Sequence, residues 1–277
     1  VGVNMSTIRN RMTKLNGGTP ISDGPFRNGS MYLTYTNEGM PIGAFWGYKT
    51  DGLIQTQEQL NAVKRADFQP NAELGDVLFV DTNGDGKLDS SDRCMIGNPI
   101  PDIIYGINMG MAWKGFDLNL QFGGTIGNQI FNAMRYYTYF PNDITNKDRA
   151  LMNYWTPNNT NTDIPRLTAT DVNDNDRFSD MYVENGTYFR LRNAQLGYTL
   201  PASLTQRIKL QKVRFYVSGQ NLFTISSYSG MDPEVGQSSS LSRGIDYGIY
   251  PQNISFTGGI NCLLYTSPSP RDRQKSR

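Results

Sequence analysis

Chemistry in this 277-residue chain has to rest on carboxylates, Lys or Tyr, because the chain contains no histidine. That excludes Ser-His-Asp and Cys-His nucleophilic machinery, His-ligated zinc and a His general base. The densest group of carboxylates is Asp81-Thr82-Asn83-Gly84-Asp85-Gly86-Lys87-Leu88-Asp89-Ser90-Ser91-Asp92. Counted from Asp81, side-chain oxygens fall at positions 1, 3, 5, 9 and 12 (Asp81, Asn83, Asp85, Asp89 and Asp92). The main-chain carbonyl at position 7 belongs to Lys87, and Gly86 at position 6 permits a sharp turn. This is the spacing of a calcium loop, in which a cation reverses the mutual repulsion of the carboxylates. The expectation is a structural Ca²⁺ with no part in catalysis. The competing reading is an Asx-rich turn with no metal.

Two departures qualify the loop: Asp92 replaces the usual terminal Glu, and a strand-like segment, residues 77–80, precedes it instead of a helix. Both resemble dockerin-type loops. A second carboxylate pair, Asp232 and Glu234, lies on an Asp-Pro-Glu tripeptide. Paired carboxylates are the machinery of glycosidases, although turn formation and hydrogen bonding are commoner uses of such a tripeptide. Cys94 and Cys262 have neither metal spacing nor the pattern of a disulfide framework and read as two free thiols, against the alternative that they pair with each other. Tyr136, Tyr137, Tyr139, Trp155, Tyr182 and Tyr188 are candidates for stacking on sugars. The alternative is that they pack loops or form an interfacial girdle.

Period-two alternation must position these groups. From Ile103, apolar side chains recur at Tyr105, Ile107, Met109, Met111 and Trp113, and after Lys114-Gly115 at Phe116, Leu118, Leu120 and Phe122. The intervening residues, among them Asn108, Asn119 and Gln121, are polar or small. Two such runs around a two-residue Gly-containing turn predict a β-hairpin. Eleven residues at about 3.3 Å, tilted near 45°, span about 25 Å, the height of the apolar band on an outer-membrane barrel. A soluble sandwich edge could show the same alternation; on the barrel reading, Ile107, Met109, Met111, Leu118 and Leu120 are expected on a lipid face, and Asn108, Asn119 and Gln121 on a lumen face. The alternation recurs at 213–218 and 254–261, while between Tyr188 and Leu200 the apolar phase changes, predicting a β-bulge near Arg192-Asn193.

Long polar stretches separate the strands, at 16–31, 55–75, 138–181 and 226–248. Short helices are expected at Gln57–Val63 and Lys147–Tyr154, capped by Thr56 and Thr145. No apolar run approaches the roughly 18 residues of a membrane-spanning helix. The 26 basic and 25 acidic side chains give no electrostatic signature of nucleic-acid binding. Leu263–Arg277 is basic and Pro-interrupted and resembles translated sequencing adapter. It reads as a non-native tail, against the alternative of a natural disordered one, and leaves 1–262 as the folded segment.

The order of several motifs resembles the SusC/RagA family of TonB-linked outer-membrane transporters. They are Gly75-Asp76, the Asp81–Asp92 loop, Ile96-Gly97-Asn98-Pro99, Lys114-Gly115-Phe116-Asp117-Leu118, Tyr188-Phe189-Arg190-Leu191-Arg192-Asn193, Gly219-Gln220-Asn221-Leu222-Phe223 and Met231-Asp232-Pro233-Glu234. The resemblance implies an all-β fold, the C-terminal part of a transmembrane antiparallel β-barrel. About seven or eight of about 22 strands would lie here, with long extracellular loops carrying short helices. It implies a transporter and no enzyme: TonB-dependent import of oligosaccharides or peptides across the outer membrane of a Gram-negative bacterium. The partners implied are a SusD-like surface lipoprotein, outer-membrane lipid, and TonB through a missing N-terminal region. From a different class, the Asp81 loop also fits a secreted calcium-dependent, carbohydrate-associated binding module.

Overall fold

Residues 1–27, 29, 31–140, 146–208, 210–236 and 239–264 are described by the computed structural model. In chain order the strands are β1 (Gly2–Thr7), β2 (Ile21–Phe26), β3 (Met31–Thr36), β4 (Ala44–Gly47), β5 (Thr50–Leu53), β6 (Val77–Phe79), β7 (Cys94–Gly97) and β8 (Ile103–Trp113). There follow β9 (Phe116–Ile126), β10 (Gln129–Asn132), β11 (Val183–Asn185), β12 (Tyr188–Thr199), β13 (Leu210–Ser226), β14 (Ile245–Asp246) and β15 (Ser255–Leu264). The helices are α1 (Gln57–Arg65), α2 (Ala133–Tyr139) and α3 (Ala202–Thr205).

The long strands form one antiparallel sheet in the order β1-β8-β9-β12-β13-β15, here called the wall. It has six strands among the described residues where the sequence suggested seven or eight, because strands such as β6 pair elsewhere. The β8–β9 hairpin forms as its alternation predicts. Lys114 and Gly115 both have positive φ, 48° and 91°, the type I′ geometry that matches strand twist. At Gly115 a Cβ would also lie 2.9 Å from the Thr199 carbonyl, so the turn has no room for a side chain.

Opposed residues in an antiparallel sheet share a face, so register reads out the composition of each face. Met111, Leu118, Leu196, Val217 and Gly258 form one row, and Trp113, Phe116, Tyr198, Phe215 and Ile260 the next. The alternate rows read Gly110, Asn119, Gln195, Ser218, Thr257 and Ala112, Asp117, Gly197, Tyr216, Gly259. The wall is thus apolar on one side and polar on the other across five strands. On the polar side Arg214 donates to Asp117 at 2.8 Å and to Gln195 at 3.2 Å. The expected bulge is present: Arg192 is an extra residue against β9, and Asn221-Leu222 oppose Arg192 on β13. This two-against-one arrangement switches the apolar phase from Phe189 and Leu191 to Ala194 and Leu196.

The segments between wall strands fold into a second body, the loop layer, with a four-stranded sheet β2-β3-β4-β7, a three-stranded sheet β11-β10-β14 and the pair β5-β6. Its core holds Phe26, Leu33, Phe45, Phe131, Tyr136, Phe178, Tyr182 and Ile245. A second cluster, Leu53, Phe68, Val77, Phe79 and Trp155, packs behind Gly75, whose φ is +87° and whose absent Cβ would lie 2.2 Å from the Trp155 ring. α1 starts at the predicted cap: Thr56 accepts from Gln59 N, and the Gln59 side chain accepts from Thr56 N, a capping box. The second expected helix is only a 3₁₀ turn, Arg149–Asn153, capped by Asp148, and Thr145 lies outside the described residues. β15 runs through Leu264, with Leu263 opposite Lys212, and the rest of the suspected tail lies outside the described residues.

Candidate functional site

The Asp81–Asp92 loop joins β6 to β7, and its carboxylates face their own main chain. Asp81 accepts from Gly84 N (2.6 Å) and Gly86 N (2.8 Å), Asp85 from Lys87 N (2.8 Å), and Asp89 from Ser91 N (2.7 Å). Asn83 accepts from Asp85 N and donates to the Asp85 carboxylate. The buried Asp92 closes the loop by accepting from Thr82 N and Asp89 N, each at 3.0 Å. The N–H of Gly86 foremost, with those of Gly84 and Asp85, holds the Asp81 carboxyl below the usual range, and the Ser91 N–H does the same for Asp89. Among the described residues no three acidic or Cys side chains are grouped as metal ligands. Lys87, whose carbonyl was the position-7 candidate, donates its N–H to Asp85.

The second carboxylate pair is used as a clamp. Arg190 of β12 is 2% exposed and donates to Asp232 at 2.5 Å, to Glu234 at 2.9 Å and to Thr224 at 2.8 Å. Arg192 adds a bond to Glu234 at 3.1 Å, and Asp232 also accepts from Glu234 N and Gln252 N. Burial raises the Asp232 pKa, but these two N–H groups and the Arg190 guanidinium together carry it below the ordinary carboxylate value. Both carboxylates are committed to holding the 226–254 connection against the wall, so the pair has the hydrogen-bonding role and not the acid and base of a glycosidase.

Of the aromatic candidates, Tyr136, Trp155, Tyr182 and Tyr188 are buried, and the packing reading holds for them. Burial foremost pushes the Tyr136 and Tyr182 hydroxyls far up, so both stay neutral. Tyr139 remains half-buried and lines a cleft of about 350 Å³ between α2, the 149–153 turn and the connection after β13. Asn132, Arg135, Asp148, Ser229 and Asp246 share that cleft. Arg135 stacks over Tyr139, 4.7 Å from its centroid, and pairs with Asp163. Asp246 accepts from the Tyr228 hydroxyl at 2.6 Å and from Gly248 N and Ile249 N. A second cleft of about 390 Å³ includes Thr50, Gln55, Asp163 and Asp180.

No family model matches the chain. TonB-dependent receptor P3 of Formosa agariphila is 37% identical over 270 residues, covering 93% of this chain and 26% of that protein. TonB-dependent receptor SusC of Bacteroides thetaiotaomicron is 27% identical over 259 residues, covering 93% of this chain and 24% of SusC. Among solved structures, the RagAB peptide importer in its open-open state matches at 25% identity with a TM-score of 0.69, over 95% of this chain and 26% of that one. The chain belongs to the SusC/RagA-type TonB-dependent receptors. It spans about a quarter of the length of the curated relatives it matches.

Within this family frame the wall is a stretch of receptor barrel, and its polar face carries the Asp117–Arg214 pair. Two of the SusC/RagA-type motifs are buried ties, the first inside the loop layer and the second from the loop layer to the wall. Gly75-Asp76 is one: Asp76, fully buried, accepts from Arg166 Nε at 2.6 Å, from Asn175 at 3.1 Å and from Glu73 N at 2.8 Å. Arg190 with Asp232-Pro233-Glu234 is another. Sequence reasoning singled out Asp232 and Glu234 but not Arg190, although a charged residue inside an alternating strand was the available signal. Arg135, Asp148 and Asp246 gave none, since their cleft joins residues 132–148 to the remote residues 229–248.

Proposed function

We propose that the parent protein is an outer-membrane importer that moves oligosaccharides or peptides in a TonB-dependent manner. The observation carrying this reading is the wall: a sheet with one continuous apolar face, one polar face, and a folded loop layer on its connections. An exposed apolar face of that extent suits lipid and opposes the alternative of a secreted calcium-dependent module. Neither carboxylate cluster is arranged as catalytic machinery, which supports transport without chemistry on the cargo. TonB engagement is assigned to parts of the parent outside this quarter, and a SusD-like lipoprotein is assigned to the loop layer, with segments 138–181 and 226–248 contributing.

The test is uptake of labelled oligosaccharides and peptides by cells carrying the full-length gene, with and without TonB. Uptake that survives loss of TonB overturns the energy coupling, and recovery of the barrel without an abundant lipoprotein under mild detergent overturns the lipoprotein assignment. Calcium at the Asp81–Asp92 loop is proposed on its ligand spacing, with the main-chain hydrogen bonds as the metal-free account. If the ion binds only the folded state, calcium at 100 times its dissociation constant stabilises by about 2.7 kcal/mol, and Asp85→Ala abolishes the shift. Identical melting of the wild type in calcium and in chelator overturns the site.

A further inference from the structure

We infer that the apolar face of the wall holds one phospholipid by an acyl chain lying in a groove over β12, β13 and β15, with the phosphate of that lipid at Lys114. This rests on the membrane location in the import reading and names a lipid site within it.

Gly258 opens the groove. In the row Met111, Leu118, Leu196, Val217, Gly258 the first four side chains are large and apolar, and the glycine leaves a dent beside them. Its own surroundings do not call for a glycine. Gly258 has no positive φ, and among the described residues an added Cβ would meet nothing closer than the Tyr216 carbonyl at 3.9 Å. Nearby glycines differ: at Gly259 a Cβ would lie 2.6 Å from the Tyr216 ring, and at Gly219 2.7 Å from the Leu222 side chain. Glycine weakens a strand interior and marks places where a ligand or another backbone approaches closely. The open side of Gly258 faces the lipid band, so the approach there is from lipid.

The dent continues into a groove. Cavities of about 480 Å³ and 390 Å³ meet at Leu196, Val217 and Gly258. The first reaches Ile260 and the second Phe256, four residues apart on β15, a run of about 13 Å. One leaflet contributes about 15 Å to the hydrocarbon core, so the groove lies within the reach of one acyl chain. Ser218 and Thr257 belong to the polar rows, which leaves Leu, Val and Phe side chains to line it.

Charge fixes the orientation of the lipid. Phe116 and Tyr198, with ring centroids 4.5 Å apart, line the end of the groove next to the Lys114-Gly115 turn. Lys114 is exposed, and its ammonium rests 4.8 Å from the centroid of the Trp113 ring, an apolar stem with a charged head as at a membrane interface. The tight turns of an outer-membrane barrel are periplasmic and its long loops extracellular. The leaflet on this side therefore offers Lys114 a phospholipid phosphate, which an ammonium binds as a point charge.

The experiment is native mass spectrometry of the full-length protein, titrated in detergent with phosphatidylethanolamine, beside a melting curve for each variant. Gly258→Leu fills the dent and Gly258→Ala fills part of it. Lys114→Asn removes the ammonium but keeps a residue suited to the positive φ before Gly115. Met111→Leu, on the same row, is the control. One saturable lipid is expected, held equally by the wild type and the control. Gly258→Leu should weaken it about tenfold, the burial of about two methylene groups, with Gly258→Ala between. Lys114→Asn should weaken it about threefold, as for an exposed charge pair. No saturable lipid, or equal binding by Gly258→Leu or by Lys114→Asn, overturns the site. A second copy of the receptor, or a side chain from elsewhere in the parent, seated in the groove gives the first of these results. If Gly258→Leu lowers the melting temperature, Gly258→Ala decides in its place. The two readings fail separately. Lipid held as expected by a receptor without TonB-dependent uptake keeps the groove and loses import; uptake by a receptor that holds no such lipid does the reverse.

Discussion

Wall and loop layer come from one chain and place the same residue types oppositely. In the wall, Met111, Trp113 and Val217 are 60%, 69% and 61% exposed on a face whose rows are apolar from strand to strand. In the loop layer, Phe45, Phe131 and Tyr182 are within 1% of complete burial. The wall keeps strict alternation because each of its faces meets a different medium, whereas the loop layer supplies its own interior and needs no regular period. The difference shows that hydrophobic pattern reports the solvent on each side of an element, and that one chain can be written for two solvents at once.

Substitutions in the full-length protein can break or sharpen this contrast. The largest effect is expected at Phe131, which packs against Phe45, Phe178 and Tyr182. Phe131→Ala should destabilise the loop layer by about 3–5 kcal/mol, seen as protease cleavage in the loops while the wall stays intact. Simultaneous loss of both regions would mean that they do not form separate bodies. Next, Met109→Arg should cost about 2–4 kcal/mol if the residue sits near the bilayer midplane, and Asn119→Arg much less, by folding titration into lipid vesicles. Equal costs would erase the assignment of faces.

Smaller still, Thr56→Ala removes a side-chain cap from α1 and should cost about 1 kcal/mol, without disturbing the wall, by hydrogen exchange at the helix. The last effect, that of Asp232, is present in full at neutral pH and is lost only in acid. Its folded pKa is depressed, so its contribution is complete above the unfolded value of about 3.9 and is lost as pH falls through the lower folded value. Acid melting curves should show this loss in the wild type and not in Asp232→Asn. Parallel curves would mean that Arg190 does not depend on the charge of its partner.

The wall was legible in the sequence because period two is local: Ile103 to Phe122 state their hairpin in adjacent residues, and the bulge at Arg192 announces itself as a phase change. The loop layer was not, because its defining pairs are remote. Phe131 lies beside Ile245 in a parallel pairing, and Tyr48 bridges to Ser179, with no alternation in between to advertise either. β1 was too short to stand out until Val3 and Met5 lined up with Ile107 and Tyr105. Of the candidate site, the carboxylates of Asp232 and Glu234 were visible, but their use was fixed by Arg190, 42 and 44 residues away. Spacing could suggest a metal for the Asp81 loop, but it could not reveal how many of those oxygens the main chain already engages.

The outer edge of β6 has a consequence for the life of the chain before it reaches a membrane. Val77 N donates to Asn175, Val77 O accepts from Gln69 and Asn173, and Phe79 N donates to Gln69, so three side-chain amides stand where a neighbouring strand would pair. An edge whose main-chain groups are already taken offers no template for intermolecular strand addition. While the wall strands still lack their lipid, this part of the protein is therefore protected against aggregation by amides that do not depend on the barrel being closed.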